Sequence, residues 1–174
     1  MIKTRIVIVA VMALFLVVLV KTPSCSASFV TAQKDTLKGL KGVWVLVEGL
    51  TPNAIKAGLT KEQITTDVEA KLRIAGIKVL TKEESYTTPG TPCLYVNLNF
   101  IKLEETVLSA FSIDLELQQT VLLDRELSMS CIANTWSQNY CGGVGKDKIQ
   151  FVRDKIKDLV DMFINDYLAV NPKK

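Results

Sequence analysis

Two stretches of the chain alternate between apolar and polar residues with a period of two. In Leu94–Phe100 and in Ser109–Leu117, every second side chain is apolar. This pattern predicts two strands, each with one buried and one solvated face. A two-residue loop at Glu105 and Thr106 would join them as a hairpin, and a one-residue slip would expose one apolar set to water. The predicted cross-strand pairs are Leu94–Leu117, Tyr95–Glu116, Val96–Leu115, Asn97–Asp114, Leu98–Ile113 and Phe100–Phe111.

The chain before this hairpin predicts a strand, a helix and a second strand. Thr51 followed by Pro52 is typical of a helix start, and Thr60 with Gln63 matches a capping box. Gly76 stands where a left-handed helix cap is expected. A parallel crossover and a short antiparallel return both fit this order. The predicted elements are a strand at Val43–Val47, a single helical turn at Thr51–Gly58, a helix from Thr60 to about Ala75, a short strand at Ile77–Leu80 and a loop at Thr81–Pro92.

After the hairpin, the pattern predicts one more strand and a long helix. The second hairpin strand is expected to continue to Leu123, followed by a turn at Asp124–Glu126. From Lys146 to about Ala169, apolar residues recur at intervals of three and four, which is typical of an amphipathic helix. Ser130–Trp136 is predicted as a strand and Cys141–Gly145 as a flexible break. The order β-α-β-β-β-β-α predicts an α+β two-layer sandwich: a mostly antiparallel sheet of about five strands with two helices on one face.

The amino terminus has the three regions of an export signal. Lys3 and Arg5 precede fifteen apolar residues at 6–20, and small residues follow at 24–28. The apolar run is shorter than the roughly 20 residues that a permanent membrane helix needs. We therefore predict a cleaved signal peptide at 1–28, a lead-in segment at 29–41 and one domain at 42–171, with a periplasmic or secreted location. A membrane anchor at 6–20 and lipidation at Cys25 are the alternatives.

Removing the signal makes the chain neutral. Three of the 21 Lys and Arg residues lie within positions 1–28, which leaves 18 against 18 Asp and Glu. Nucleic-acid binding depends on cationic contacts to phosphate, and the sequence has no basic cluster to supply them. The composition therefore predicts no nucleic-acid partner.

Three cysteines, Cys93, Cys131 and Cys141, remain after the signal, so at most one internal disulfide can form. Cys131 and Cys141 are too far apart to pair if the strand is extended, and within reach if the chain doubles back at Asn139. The chain has no histidine and no Cys-x-x-Cys motif. A zinc site and a thiol–imidazole pair are therefore not expected, and we predict no metal and no cofactor.

The polar face of the predicted hairpin holds the candidate binding residues, namely Tyr95, Asn97, Asn99, Asp114 and Glu116. Asp114 and Glu116 lie two residues apart on one strand, roughly 7 Å from each other, a separation that inverting glycosidases use. A solvated sheet face explains the same residues without any chemistry. A calcium site is a weaker hypothesis, since no Asp- or Asn-rich loop is present.

Two further patterns have a functional and a structural interpretation. Trp44, Tyr95 and Trp136 would form an aromatic interaction patch if they shared a face, and otherwise they belong to the core. Gly142–Gly145 precedes a helix and would bind an anion if it formed a phosphate loop. It lacks the lysine and serine spacing of such loops, so a flexible connection is the simpler interpretation.

Four segments resemble an uncharacterised group of small exported bacterial proteins. They are Thr66–Ile77, Leu94–Asn97, Asn134–Trp136 and Phe163–Pro172. The resemblance implies no activity. The element order is also similar, more loosely, to the amino-terminal domain of the Tol-system propeller protein and to envelope lipoproteins of the curli-secretion type, which bind other envelope components. We therefore expect a non-enzymatic binding or assembly module of the bacterial cell envelope whose partner is another envelope protein. A hydrolase using Asp114 and Glu116 and a membrane-tethered structural subunit are the alternatives.

Overall fold

The computed structural model describes residues 32–103, 106–145 and 148–172. The predicted signal and anchor segments and Glu105 lie outside these ranges. The chain from Gln33 onward forms one compact unit. No helix within the described ranges is both long and apolar enough to cross a membrane. The strands are β1 (Val43–Val47), β2 (Val79–Leu80), β3 (Cys93–Lys102), β4 (Leu108–Leu123) and β5 (Glu126–Gly145), and the helices between and after them are α1 (Pro52–Lys56), α2 (Lys61–Ile74), α3 (Lys82–Thr87) and α4 (Gln150–Val170).

The five strands form one mixed sheet in the order β2-β1-β3-β4-β5. β1 pairs in parallel with both β2 and β3, which settles the crossover between β1 and β2 as parallel. The two longest pairings, β3 with β4 and β4 with β5, are antiparallel. Most cross-strand residue pairs are therefore antiparallel, as predicted.

The register of the β3–β4 hairpin is confirmed. All six predicted pairs occur, from Leu94 opposite Leu117 to Phe100 opposite Phe111. The apolar members are at most 3% exposed, because they lie under the helices. The alternation excludes a one-residue slip, and the loop position assumed at Glu105 and Thr106 selected this register from those of the same parity.

α2 and α4 cover one face of the sheet, which confirms the α+β class. The core contains Ile64, Val68 and Leu72 of α2, together with an apolar stripe along α4. Ion pairs also join the two helices: Asp67 Oδ2 lies 2.8 Å from Arg153 Nη2, and Lys71 pairs with Asp161. The α4 side chains in the core are Val152, Ile156, Leu159, Val160, Phe163 and Ile164.

Helix caps follow the sequence at three positions, although only the Thr60 half of the capping box predicted with Gln63 is among the described hydrogen bonds. The Thr51 and Thr60 hydroxyl groups each accept a hydrogen bond from a backbone N–H of the helix that follows, at 3.3 and 3.2 Å. Gly76 ends α2 with a φ of +79°. The predicted loop at 81–92 is wrong in its first half, because α3 occupies Lys82–Thr87. Thr81 and Glu84 form a full capping box there, and this signal was present in the sequence.

The predicted break at Cys141–Gly145 is also wrong, since β5 runs without interruption to Gly145. This part of β5 pairs with Leu108–Ser112 of β4, and the long partner strand outweighs the low strand preference of the glycines. The chain does not double back at Asn139. Cys131 and Cys141 therefore lie ten residues apart on one strand, beyond disulfide reach. Cys93, Cys131 and Cys141 are all free thiols.

The lead-in segment contributes to the core. Leu37 is fully buried and Leu40 is 9% exposed. The end of α4 binds this segment through side chains: Asn171 donates from Nδ2 to Leu37 O at 2.8 Å, and Tyr167 donates its hydroxyl to Leu40 O at 3.1 Å. The carboxy-terminal motif at 163–172 thus includes residues that hold the start of the compact unit in place.

Candidate binding face

The sheet face opposite α2 and α4 brings the five predicted binding residues together. β5 completes three rows of three side chains with them, and we call these positions the acidic face. It contains two carboxylates and three amides but no lysine or arginine. The rows are Tyr95–Glu116–Ser137, Asn97–Asp114–Asn139 and Asn99–Ser112–Cys141.

The acidic face is accessible. Asn99, Asn139 and Cys141 are exposed, and the other six side chains are half-buried by their neighbours. α3 packs against β1 and β2, at the edge of the sheet opposite β5. α2 and α4 contact the sheet face that is turned toward the core. Within the described ranges, the acidic face therefore has no helix lying over it.

A hydrogen bond from Tyr95 to Glu48 extends the acidic face toward β1. Leu46 pairs with Tyr95, and Glu48 lies two residues further along on the same side. The Tyr95 hydroxyl donates to Glu48 Oε2. This bond raises the pKa of Tyr95 to about 12 and lowers the pKa of Glu48. The sequence did not indicate Glu48 as a site residue, because the pattern of apolar and polar positions does not predict that β1 pairs with β3.

Replacing Glu48 with glutamine should lower the pKa of Tyr95 toward its ordinary value of 10.0, since the carboxylate no longer stabilises the protonated phenol. NMR titration of the Tyr95 ring carbon measures this change directly. In the unmodified chain, the bond stabilises the fold fully below about pH 10, and its contribution is lost as the pH rises through 12. Because the pKa of Glu48 is lowered, the contribution of its carboxylate to folding stability is present above pH 4.5. This contribution is lost as the pH falls through the lowered pKa. A Tyr95 titration that is the same in both proteins would contradict the assignment.

The three aromatic residues considered as a patch do not share a face. Trp136 is 1% exposed, lies opposite Leu117 and stacks edge-on against Phe163 of α4 at 5.2 Å between ring centroids. The patch hypothesis is therefore wrong for Trp136, which belongs to the core. Trp44 is half-buried, with the Lys82 ammonium 5.8 Å from its ring centroid.

A cavity of about 400 Å³ lies away from Asp114 and Glu116. Its walls come from α1, from the β3–β4 hairpin end and from the start of α4, including Phe100 and Ile149. Neither predicted carboxylate lines it. Among the described residues, no group of three or more Cys, Asp or Glu side chains is placed to hold a metal ion. Cys93 is nearly buried, and burial raises the pKa of its thiol to about 11.

The fold and this face define a two-layer α+β protein with one helix-covered and one open, acidic sheet surface. No protein-family model matches the chain, and no curated protein matches it either. The resemblance to small exported bacterial proteins stays a prediction.

Proposed function

We propose that this chain is an exported, non-enzymatic binding module of the bacterial cell envelope whose acidic face contacts an electropositive patch on another envelope protein. The composition of that face carries the proposal: the carboxylates of Asp114 and Glu116 lie among amide and hydroxyl groups with no cation between them. A surface with one sign of charge favours partners of the opposite sign and speeds their association.

The placement of the two carboxylates supports binding rather than hydrolysis. Catalytic acids and bases usually sit in a concave site that excludes water. Asp114 and Glu116 instead point from the middle of a sheet face, next to Asn97 and Asn139 on the neighbouring strands. Amide groups flanking carboxylates supply donors and acceptors for a protein surface.

The test is a crosslinking pull-down of the full chain from the envelope of its native host. The variant Asp114→Asn, Glu116→Gln keeps the shape of the face and removes its charge. We expect it to lose the partner at least tenfold relative to the wild type, and we expect the wild-type interaction to weaken as salt is raised. The captured protein should carry a basic surface.

A matched control carries the same charge change elsewhere. Glu62→Gln, Glu83→Gln neutralises two exposed carboxylates on α2 and α3 and should keep the partner. Circular dichroism confirms that all variants fold. Equal capture by both variants would show that the acidic face is the wrong surface, and hydrolysis of envelope substrates lost with Asp114→Asn would favour the enzyme.

A further inference from the structure

The cavity of about 400 Å³ lies on the helix-covered side of the sheet, at the end of the β3–β4 hairpin. α1 is five residues long and α4 begins only at Gln150, so the two helices leave a gap over this end of the sheet. Phe100 and Lys102 of β3 and Ser109 of β4 line the gap. Its volume lies in the range of about 300–1,000 Å³ that is typical of pockets for small ligands.

The cavity has a polar side and an apolar side. Lys102 lies opposite Ser109, and the next pair on the same face of the hairpin is Phe100 opposite Phe111. Residues two apart on a strand are roughly 7 Å from each other. Phe100 is 3% exposed, and Ile149, which precedes α4 and also lines the cavity, packs against the same core. A ligand with a polar end and an apolar end therefore fits the two sides.

The Ser109 hydroxyl is available to such a ligand. Ser109 is only 9% exposed, and its hydroxyl forms no hydrogen bond with any described residue. Among the described residues, no fully enclosed side-chain oxygen lacks a partner, so this hydroxyl opens onto the cavity. Most buried hydroxyl groups in proteins have a partner, and a ligand in the cavity would supply the one that Ser109 lacks.

The open side of the cavity combines positive charge with apolar surface. Lys56 of α1 and Lys102 both line it and are exposed. None of the described lining residues is acidic, and neither lysine forms an ion pair with a described residue. Val107 and Leu108, which are 76% and 50% exposed, line the same cavity. Ammonium groups beside apolar side chains favour an anion that carries an apolar group.

We propose that the cavity binds an anionic amphiphile, an alkyl chain that ends in a carboxylate or a phosphate. The head group contacts the ammonium groups of Lys56 and Lys102 and accepts a hydrogen bond from Ser109. The alkyl chain lies along Phe100 and Ile149. Both head groups offer oxygen acceptors to lysine and hydroxyl donors. The acidic face lies on the other side of the sheet, so this inference does not rest on the proposed function.

The first test is a calorimetric titration of the exported chain with decanoate, an alkyl chain with one carboxylate. We expect one site per chain with a Kd of roughly 10–100 µM, as the affinity per atom of small ligands allows. Decyl phosphate should bind the same site, and the tighter of the two anions identifies the head group. Decyltrimethylammonium has the same chain and the opposite charge, so it should bind at least tenfold more weakly.

The variant Lys56→Gln, Lys102→Gln should weaken decanoate binding at least tenfold, and both positions tolerate glutamine because they are exposed. The control, Lys38→Gln, Lys41→Gln, removes two exposed lysines from the lead-in segment and should leave the affinity unchanged. Ser109→Ala should weaken binding about threefold to tenfold, the range for one hydrogen bond. It should leave the melting temperature unchanged, because the hydroxyl has no partner among the described residues.

A second measurement locates the ligand. In amide NMR spectra, decanoate should shift the resonances of Phe100 and Ser109 and leave that of Asp114 on the acidic face unchanged. Failure of both anions to bind, equal binding of decyltrimethylammonium, or an unchanged affinity in the lysine variant would each overturn the proposal. Lysine-dependent binding to phosphatidylglycerol vesicles without binding of decanoate would also overturn it and assign the two lysines to a membrane surface.

Discussion

Replacing Trp136 with alanine is expected to lower the free energy of unfolding by about 3–5 kcal/mol. The indole is 1% exposed and stacks against Phe163 at an interplanar angle of 77°. Its Nε1–H donates to Asp166 Oδ2 at 3.0 Å, a carboxylate that Lys34 Nζ also approaches at 3.6 Å. Alanine leaves a large cavity and removes the donor to a carboxylate. Urea unfolding followed by circular dichroism measures the loss.

Two comparisons separate the contributions of Trp136. Trp136→Phe keeps most of the packing and should cost about 1.5–3 kcal/mol, the range for a hydrogen bond to a charged group. Trp44→Ala removes the chain's other tryptophan from a half-buried position and should cost less than Trp136→Ala. If the two alanine variants were equally stable, the burial assigned to Trp136 would be wrong.

The loss of Trp136 should also release the lead-in segment. Thr36 Oγ1 donates to Thr135 O at 3.1 Å, directly beside Trp136, and Lys34 reaches the same Asp166. Limited proteolysis should therefore cut Trp136→Ala before Leu37 faster than it cuts the wild type, because local opening depends on these few contacts.

The sequence predicted the centre of the sheet and not its edges, for physical reasons. In β3 and β4, strict alternation determines which side chains face the core, so the residues that these two strands contribute to the acidic face follow from parity. Their register also follows once the loop position is assumed. In β5, an irregular register places Trp136 opposite Leu117 but Asn134 opposite Gln118, so Thr135 is an extra residue and parity changes there. The alternation of the sequence therefore did not predict on which face of the sheet Trp136 lies, and the structure was required to place it.

One element was missed despite a local signal, and two further features depend on contacts distant in sequence. α3 follows a capping box at Thr81 and Glu84, but the turn residues at 88–92 favoured a loop for the whole segment. The glycines at 142 and 143 predicted a break in the strand, whereas the structure pairs them with Phe111 and Ala110 of β4. Glu48 joins Tyr95 only because β1 lies beside β3. Local preference gave the wrong answer wherever a neighbouring strand or loop decided the conformation.

Gly42→Ala is expected to destabilise the protein by about 2 kcal/mol through a clash with backbone. A Cβ atom at Gly42 would lie 2.6 Å from Lys78 O. That oxygen accepts a hydrogen bond from Val43 N at 3.0 Å at the start of the β1–β2 pairing. Neither strand can move away without weakening this parallel pairing, so the melting temperature should fall by several degrees.

Gly49→Ala is the matched control, because a Cβ atom there has no neighbour within 4 Å. It should change the free energy of unfolding by less than about 0.5 kcal/mol. Both variants remove one glycine from the unfolded chain, so their difference reports the native state at Gly42, where the contact with Lys78 and the φ of +158° both disfavour a side chain. Equal stability of the two variants would mean that β1 and β2 do not approach each other at Gly42, and the parallel edge of the sheet would have to be reassigned.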